Sequence, residues 1–197
     1  MSIETLLKQY GSLSAESMLN RFYGNLDLIE VPIEPENIVA LLPGVRIEYG
    51  HSWDDLVKSG YIKVNRDPNG FVREIVIWAN PSEASVRRRF TYAHELGHLV
   101  YDVIPNLYNS EYEEIIDVFN RDQRQTFIET RANNFAAELL MPFELVKREI
   151  GNMLEVYAKN TNGQKPPVDE GIQYLSRQFN VSNDAMRYRL LNLGYLS

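Results

Sequence analysis

Apolar positions recur along the chain with two periods, and the changes between them divide it. Over residues 1–24, Leu6, Leu7 and Tyr10, then Met18, Leu19 and Phe22, cluster at helical spacing, and Gly24 offers a stop. Pro35 suits a first helical turn and Pro43-Gly44 an end, which predicts a short helix over 35–42. Period two then takes over. Val45 to Tyr49, Gly60 to Val64 and Glu74 to Trp78 read as strands, with Asp67-Pro68-Asn69-Gly70 as a turn between the last two. Together they predict a small three-stranded antiparallel sheet. Ser82 is a candidate N-cap for a helix over about 83–102. There Val86, Phe90, Ala93, Gly97 and Val100 make a core stripe, beside a second stripe of Arg87, Thr91, His94 and His98.

Residues 106–122 are acidic and read as a helix with a solvated face. Residues 123–141 predict a second long helix, stopped by Pro142, with a further helix over 143–150. A linker-like loop over 151–168 follows. Ile172, Leu175 and Phe179, a turn at Asn180-Val181-Ser182, then Met186, Leu190 and Leu191 predict a helix–turn–helix-like hairpin. The expected fold class is α+β. A mainly helical domain over 1–150 holds the sheet ahead of the 83–102 helix, and the hairpin over 169–197 packs on that same domain.

Composition narrows the function. The 197 residues suit one domain with a real core. Twenty Lys and Arg against 27 Asp and Glu give a net charge of −7, which argues against a general nucleic-acid binder. In the C-terminal hairpin Arg177, Arg187 and Arg189 are matched by Asp169, Glu170 and Asp184, so direct DNA binding is not expected there either. The chain has no cysteine, which excludes disulfides, thiolate metal sites and cysteine nucleophiles and fits a reducing compartment. The first residues lack a basic and apolar leader, and no stretch is apolar enough to span a bilayer. A soluble cytoplasmic protein is the expectation.

The chemistry concentrates at His94-Glu95-Leu96-Gly97-His98. On a helix the two histidines share a face and can grip one metal ion, while Glu95 can reach a water without ligating. That is the zinc-peptidase pattern of two ligands and a general base. A third ligand must come from elsewhere. His51 lies in a loop, where a lone histidine is ordinarily a surface residue. The 123–141 helix offers Glu129 and Glu138, which lie about half a turn apart around the axis at roughly 100° per residue, so both cannot face one metal. Glu129 shares its face with Asn133, whose side-chain oxygen can accept from a ligating histidine's other N–H. Ala136 and Leu140 continue that face, which suits packing against the side of Gly97. Arg87, Arg88 and Arg89 read as a solvated cluster or a substrate contact. For an oxyanion donor, Tyr92, Tyr101, Tyr108 and Arg131 stay open.

Two blocks, Arg89-Phe90-Thr91-Tyr92-Ala93-His94-Glu95-Leu96-Gly97-His98 and Glu129 through Ala132-Asn133, Phe135-Ala136-Ala137 and Leu139-Leu140-Met141-Pro142, resemble the ImmA/IrrE family of metallopeptidases. The resemblance implies His94, His98 and Glu129 as zinc ligands and Glu95 as catalytic base. It further implies a site-specific cytoplasmic zinc endopeptidase. The target of such a protease is a partner repressor of the Xre type, in mobile elements or stress responses, and cleavage lifts repression. Control by a cysteine near the zinc, which some relatives use, cannot operate here. Two other classes compete: a non-proteolytic regulator with a vestigial metal site, and a toxin-like component of a two-gene module.

Overall fold

A computed structural model describes residues 2–50, 53–55, 58–108, 114–116 and 123–196. The N-terminal apolar clusters become helices α1 (Ile3–Leu7) and α2 (Ala15–Tyr23), and Pro35 opens α3 (Pro35–Leu41). Strands β1 (Val45–Glu48), β2 (Gly60–Arg66) and β3 (Val72–Ala79) follow.

The sheet is mixed, not antiparallel. With β4 (Glu114–Ile116) its order is β1-β3-β2-β4, and β1 runs parallel to β3 in the register Val45↔Ile75 to Glu48↔Trp78. The β2–β3 hairpin forms as expected, with Asp67 Oδ1 accepting from the Asn69 and Phe71 N–H groups in the turn. Period two fixes which side chains share a face but says nothing of strand direction. Burial decides the order. Ile75, Val76, Ile77, Trp78 and Ala79 are all buried, so β3 takes a place with a strand on each side. That leaves β1 to pair with β3 rather than to start a sequential meander.

The acidic stretch also departs from expectation. Glu114–Ile116 is a short strand, β4, antiparallel to β2, where a helix is predicted. A β-branched Ile pair beside an available sheet edge outweighs helical propensity.

The metal helix α4 runs over Ser85–His98. It starts later than Ser82 suggests. The Ser82 N–H donates to Asn80 Oδ1 in a local turn, and the helix begins after it. Beyond His98 it widens into a π-turn over Leu99–Val103. Helix α5 (Gln123–Leu140) packs along α4. Helix α6 (Phe143–Asn160) is longer than the 143–150 expected, because Ile150, Met153 and Tyr157 keep helical spacing past an exposed Gly151. The loop shrinks to 161–167. Helices α7 (Val168–Phe179) and α8 (Asn183–Asn192) close the chain, with Asn180 left-handed between them at φ 50° and Ser182 capping α8.

One contiguous core runs from Leu7 to Leu190. Arg89 ties its parts together. It is 5% exposed and is neither a solvated residue nor placed for substrate. It donates to Glu34 at 2.9 Å, to the Ile33 carbonyl, and to the Phe179 and Asn180 carbonyls. Arg87, by contrast, pairs with Glu83 at the surface at 3.0 Å.

Candidate metal centre

His94 and His98 sit one turn apart on the inner face of α4, 5% and 1% exposed. Their Nε2 atoms are 2.9 Å apart. Glu129 enters from α5, its Oε2 lying 3.2 Å from His94 Nε2 and 3.5 Å from His98 Nε2. Neighbouring donors of a tetrahedral zinc, bound at about 2.0–2.1 Å, would be about 3.3 Å apart. The observed separations bracket that spacing.

The remaining ring nitrogens define what the cluster offers. His94 Nδ1 donates to Asn133 Oδ1 at 2.9 Å, and His98 Nδ1 donates to Asp102 Oδ2 at 3.0 Å. Both partners are acceptors, so each Nδ1 carries the proton and each neutral ring turns a lone pair on Nε2 towards Glu129. Three acceptors therefore converge on one largely buried point. Such a set is costly unless a cation neutralises it. The donor types and spacing fit a divalent metal ion. With protons as the only cations, burial opposes the charged form of His98, but the Asp102 and Glu129 carboxylates outweigh it and push the ring up to about 10. The His94 and His98 rings in turn hold Glu129 down to about 2. Among the described residues no other trio of His, Asp or Glu converges this way.

The approach of α5 depends on Gly97. A Cβ there would lie 3.0 Å from Ala132 Cα and 3.2 Å from the Ala132 carbonyl oxygen. The close face of α5 is thus the Ala132–Phe135 row, one row over from the Ala136–Leu140 row expected from the sequence; those two are buried in the core instead. The glycine's missing side chain lets the backbones meet, and that sets how far Glu129 stands from the histidines. Glu138 is exposed on another face and lines a separate cavity with Arg189, so the choice between the two glutamates falls to Glu129. His51 lies outside the described residues.

Glu95 is fully buried beside the trio, and its charge adds to the rise of His98. Asn133 stands where its spacing placed it. Asp102, which the sequence reading does not single out, lies four residues after His98 and so one turn on, a spacing that could have found it. Arg131 is paired with Asp102 Oδ1, and its guanidinium lies 4.9 Å over the Tyr101 ring. Tyr101 also packs edge-on against Phe135. Tyr92 is buried on another side of α4, where burial first and Glu36 second push its phenol up to about 12. Tyr108 is exposed. These positions single out no oxyanion donor.

No helix among the described residues is long and apolar enough to cross a membrane. A search of curated proteins gives no significant match. Residues 57–191, a span that holds the entire trio and Glu95, match the IrrE N-terminal-like domain, Peptidase_M78, and the chain belongs to that metallopeptidase family.

Proposed function

We propose that the protein is a zinc-dependent endopeptidase of the cytoplasm that cuts one partner protein, an Xre-type transcriptional repressor, and so lifts repression. The observation that carries the catalytic part is the convergence of three lone-pair donors beside the buried carboxylate of Glu95. Two imidazoles and one carboxylate are the donor set of zinc peptidases, with a coordination position left for chemistry. Zinc held by His94, His98 and Glu129 would supply Lewis acidity to a water and to the scissile carbonyl. Glu95 takes the proton from the attacking water on a carboxylate oxygen and returns it to the leaving amine. Asn133 and Asp102 keep both rings in the Nδ1–H form, so that Nε2 stays available.

The repressor as substrate rests on the likeness of the α4 and α5 blocks to the ImmA/IrrE family. The net charge of −7 favours a protein target over DNA. The test is to incubate purified protein with an Xre-type repressor encoded beside it. A discrete cleaved band that a chelator abolishes and zinc restores is the expected result. A repressor left intact under every inducing condition would remove the substrate from the proposal. Cleavage that survives both chelation and Glu95→Gln would remove the mechanism.

A further inference from the structure

We infer that Gly60, at the start of β2, is a positioning residue for Glu95; this rests on the proteolytic reading above. A Cβ at position 60 would lie 2.6 Å from Glu95 Oε1 and 2.5 Å from Thr91 Cγ2. Both distances are too short for van der Waals contact. The strand backbone therefore forms a wall against the general base, and only a residue without a side chain lets the carboxylate take its present place. Glu95 has no exposed surface and Thr91 is 6% exposed, so a displaced carboxylate would have to turn within the interior rather than into solvent. Gly60 itself is held on its other side. It is opposite Ala79 in the β2–β3 ladder, and the neighbouring Asn80 N–H donates to the Ser59 carbonyl at 2.8 Å. The strand thus cannot move back without giving up its pairing with β3.

A methyl group there would meet the end of the Glu95 side chain, which can rotate, one methyl of Thr91 and, less closely, the Trp78 carbonyl oxygen at 3.1 Å. A substitution at 60 is therefore absorbed by turning the base away rather than by unfolding the sheet. No member of the metal trio is among the nearest atoms that a Cβ at 60 would meet, so the trio is expected to keep its geometry. Gly60 is accordingly expected to govern turnover while leaving metal binding alone, a division of effects that general destabilisation does not produce.

The experiment is a double-mutant cycle on the zinc-loaded protein with Gly60→Ala and Glu95→Asp, which draws the carboxylate back by one methylene. G60A alone should keep one zinc per chain and an unchanged KM, with kcat falling towards that of E95Q. In the E95D background, G60A should cost little more. Equal, additive losses in the two backgrounds would overturn the proposal, as would wild-type kcat in G60A. Thr91→Ser removes the methyl but not the carboxylate; if T91S/G60A regains full activity, the relevant contact is with Thr91 and the proposal fails. A crystal structure of G60A decides the packing claim without reference to activity, so it stands even if the wild type proves not to be a peptidase. The Glu95 carboxylate should be rotated away from β2, and an unmoved carboxylate sinks the idea. Should G60A not fold, E95A/G60A should recover folding, and failure to recover counts against it.

Discussion

Helix α4 carries two buried polar clusters of opposite character. At its N-terminal end every group around Arg89 has a partner: Glu34 and the Ile33, Phe179 and Asn180 carbonyls accept from one guanidinium. At its C-terminal end the acceptors outnumber the donors: with both rings neutral and held in the Nδ1–H form, three lone pairs are directed at one point. The first cluster is complete within the chain, so it holds the Ile33-Glu34 segment, the helix and the C-terminal hairpin in place. The second is incomplete without a cation, which makes it the candidate binding site. A folded chain normally satisfies its buried polar groups, and a deliberate shortfall marks the functional end.

That contrast can be broken most sharply at Glu95. Glu95→Gln is expected to keep zinc and lose about 10²–10⁴-fold in kcat/KM, the range a positioned general base supplies. Peptide hydrolysis assays with parallel metal analysis check both halves. Glu129→Ala removes one of the three acceptors, and the purified protein should come out of gel filtration with little bound zinc; full occupancy would place the third ligand elsewhere. The complementary substitution, Arg89→Met, should spare zinc stoichiometry but cost about 3 kcal/mol in urea unfolding, because several buried acceptors lose their donor together. Equal zinc loss in R89M would erase the distinction between the two ends of the helix.

Smaller effects are expected one layer out. Asp102→Asn should weaken zinc affinity by about 10–100-fold in competition titrations, with Asn133→Ala nearer the lower figure because Asn133 is neutral and exposed. The smallest effect is in pH. In metal-free protein His98 is raised from its ordinary 6.5 to about 10, so its contribution to stability is whole below 6.5 and fades as pH climbs towards 10. Glu129 is lowered from 4.5 to about 2, so its contribution is present above 4.5 and is lost only as pH falls towards 2. The metal-free Tm should therefore be best supported between pH 4.5 and 6.5 and decline above that window. Zinc binds better as its ligands shed protons, so the gap in Tm between loaded and metal-free protein should widen with pH over the same range. Calorimetry on both forms checks the divergence.

The site was more legible than the sheet, for a physical reason. A helix repeats so regularly that spacing alone puts His94 over His98 and Glu129 over Asn133, and the structure joins all four. Strand order and direction depend on which edge finds which partner across long stretches of chain, and alternation at Val45–Tyr49 contains no trace of the parallel pairing with β3. The same holds for Glu114–Ile116, whose partner β2 lies some fifty residues earlier. Arg89 escaped because its acceptors, the Glu34 carboxylate aside, are backbone carbonyls from distant segments, such as those 56 and 90 residues away. Its charge was visible, but its burial was not.

The contact at Gly97 has a consequence for which metal the candidate site would suit. The two histidines ride on one helix and Glu129 on another, so the size of the candidate cage is an interhelical distance, and the close approach of Ala132, whose Cα would lie 3.0 Å from a Cβ at Gly97, fixes it from behind. A methyl at position 97 would act as a shim, separating the two walls of the cage without touching any ligand. Selectivity among ions of different radius would thus be adjustable at a residue that does not meet the ion, by altering the thickness of the seam between two helices.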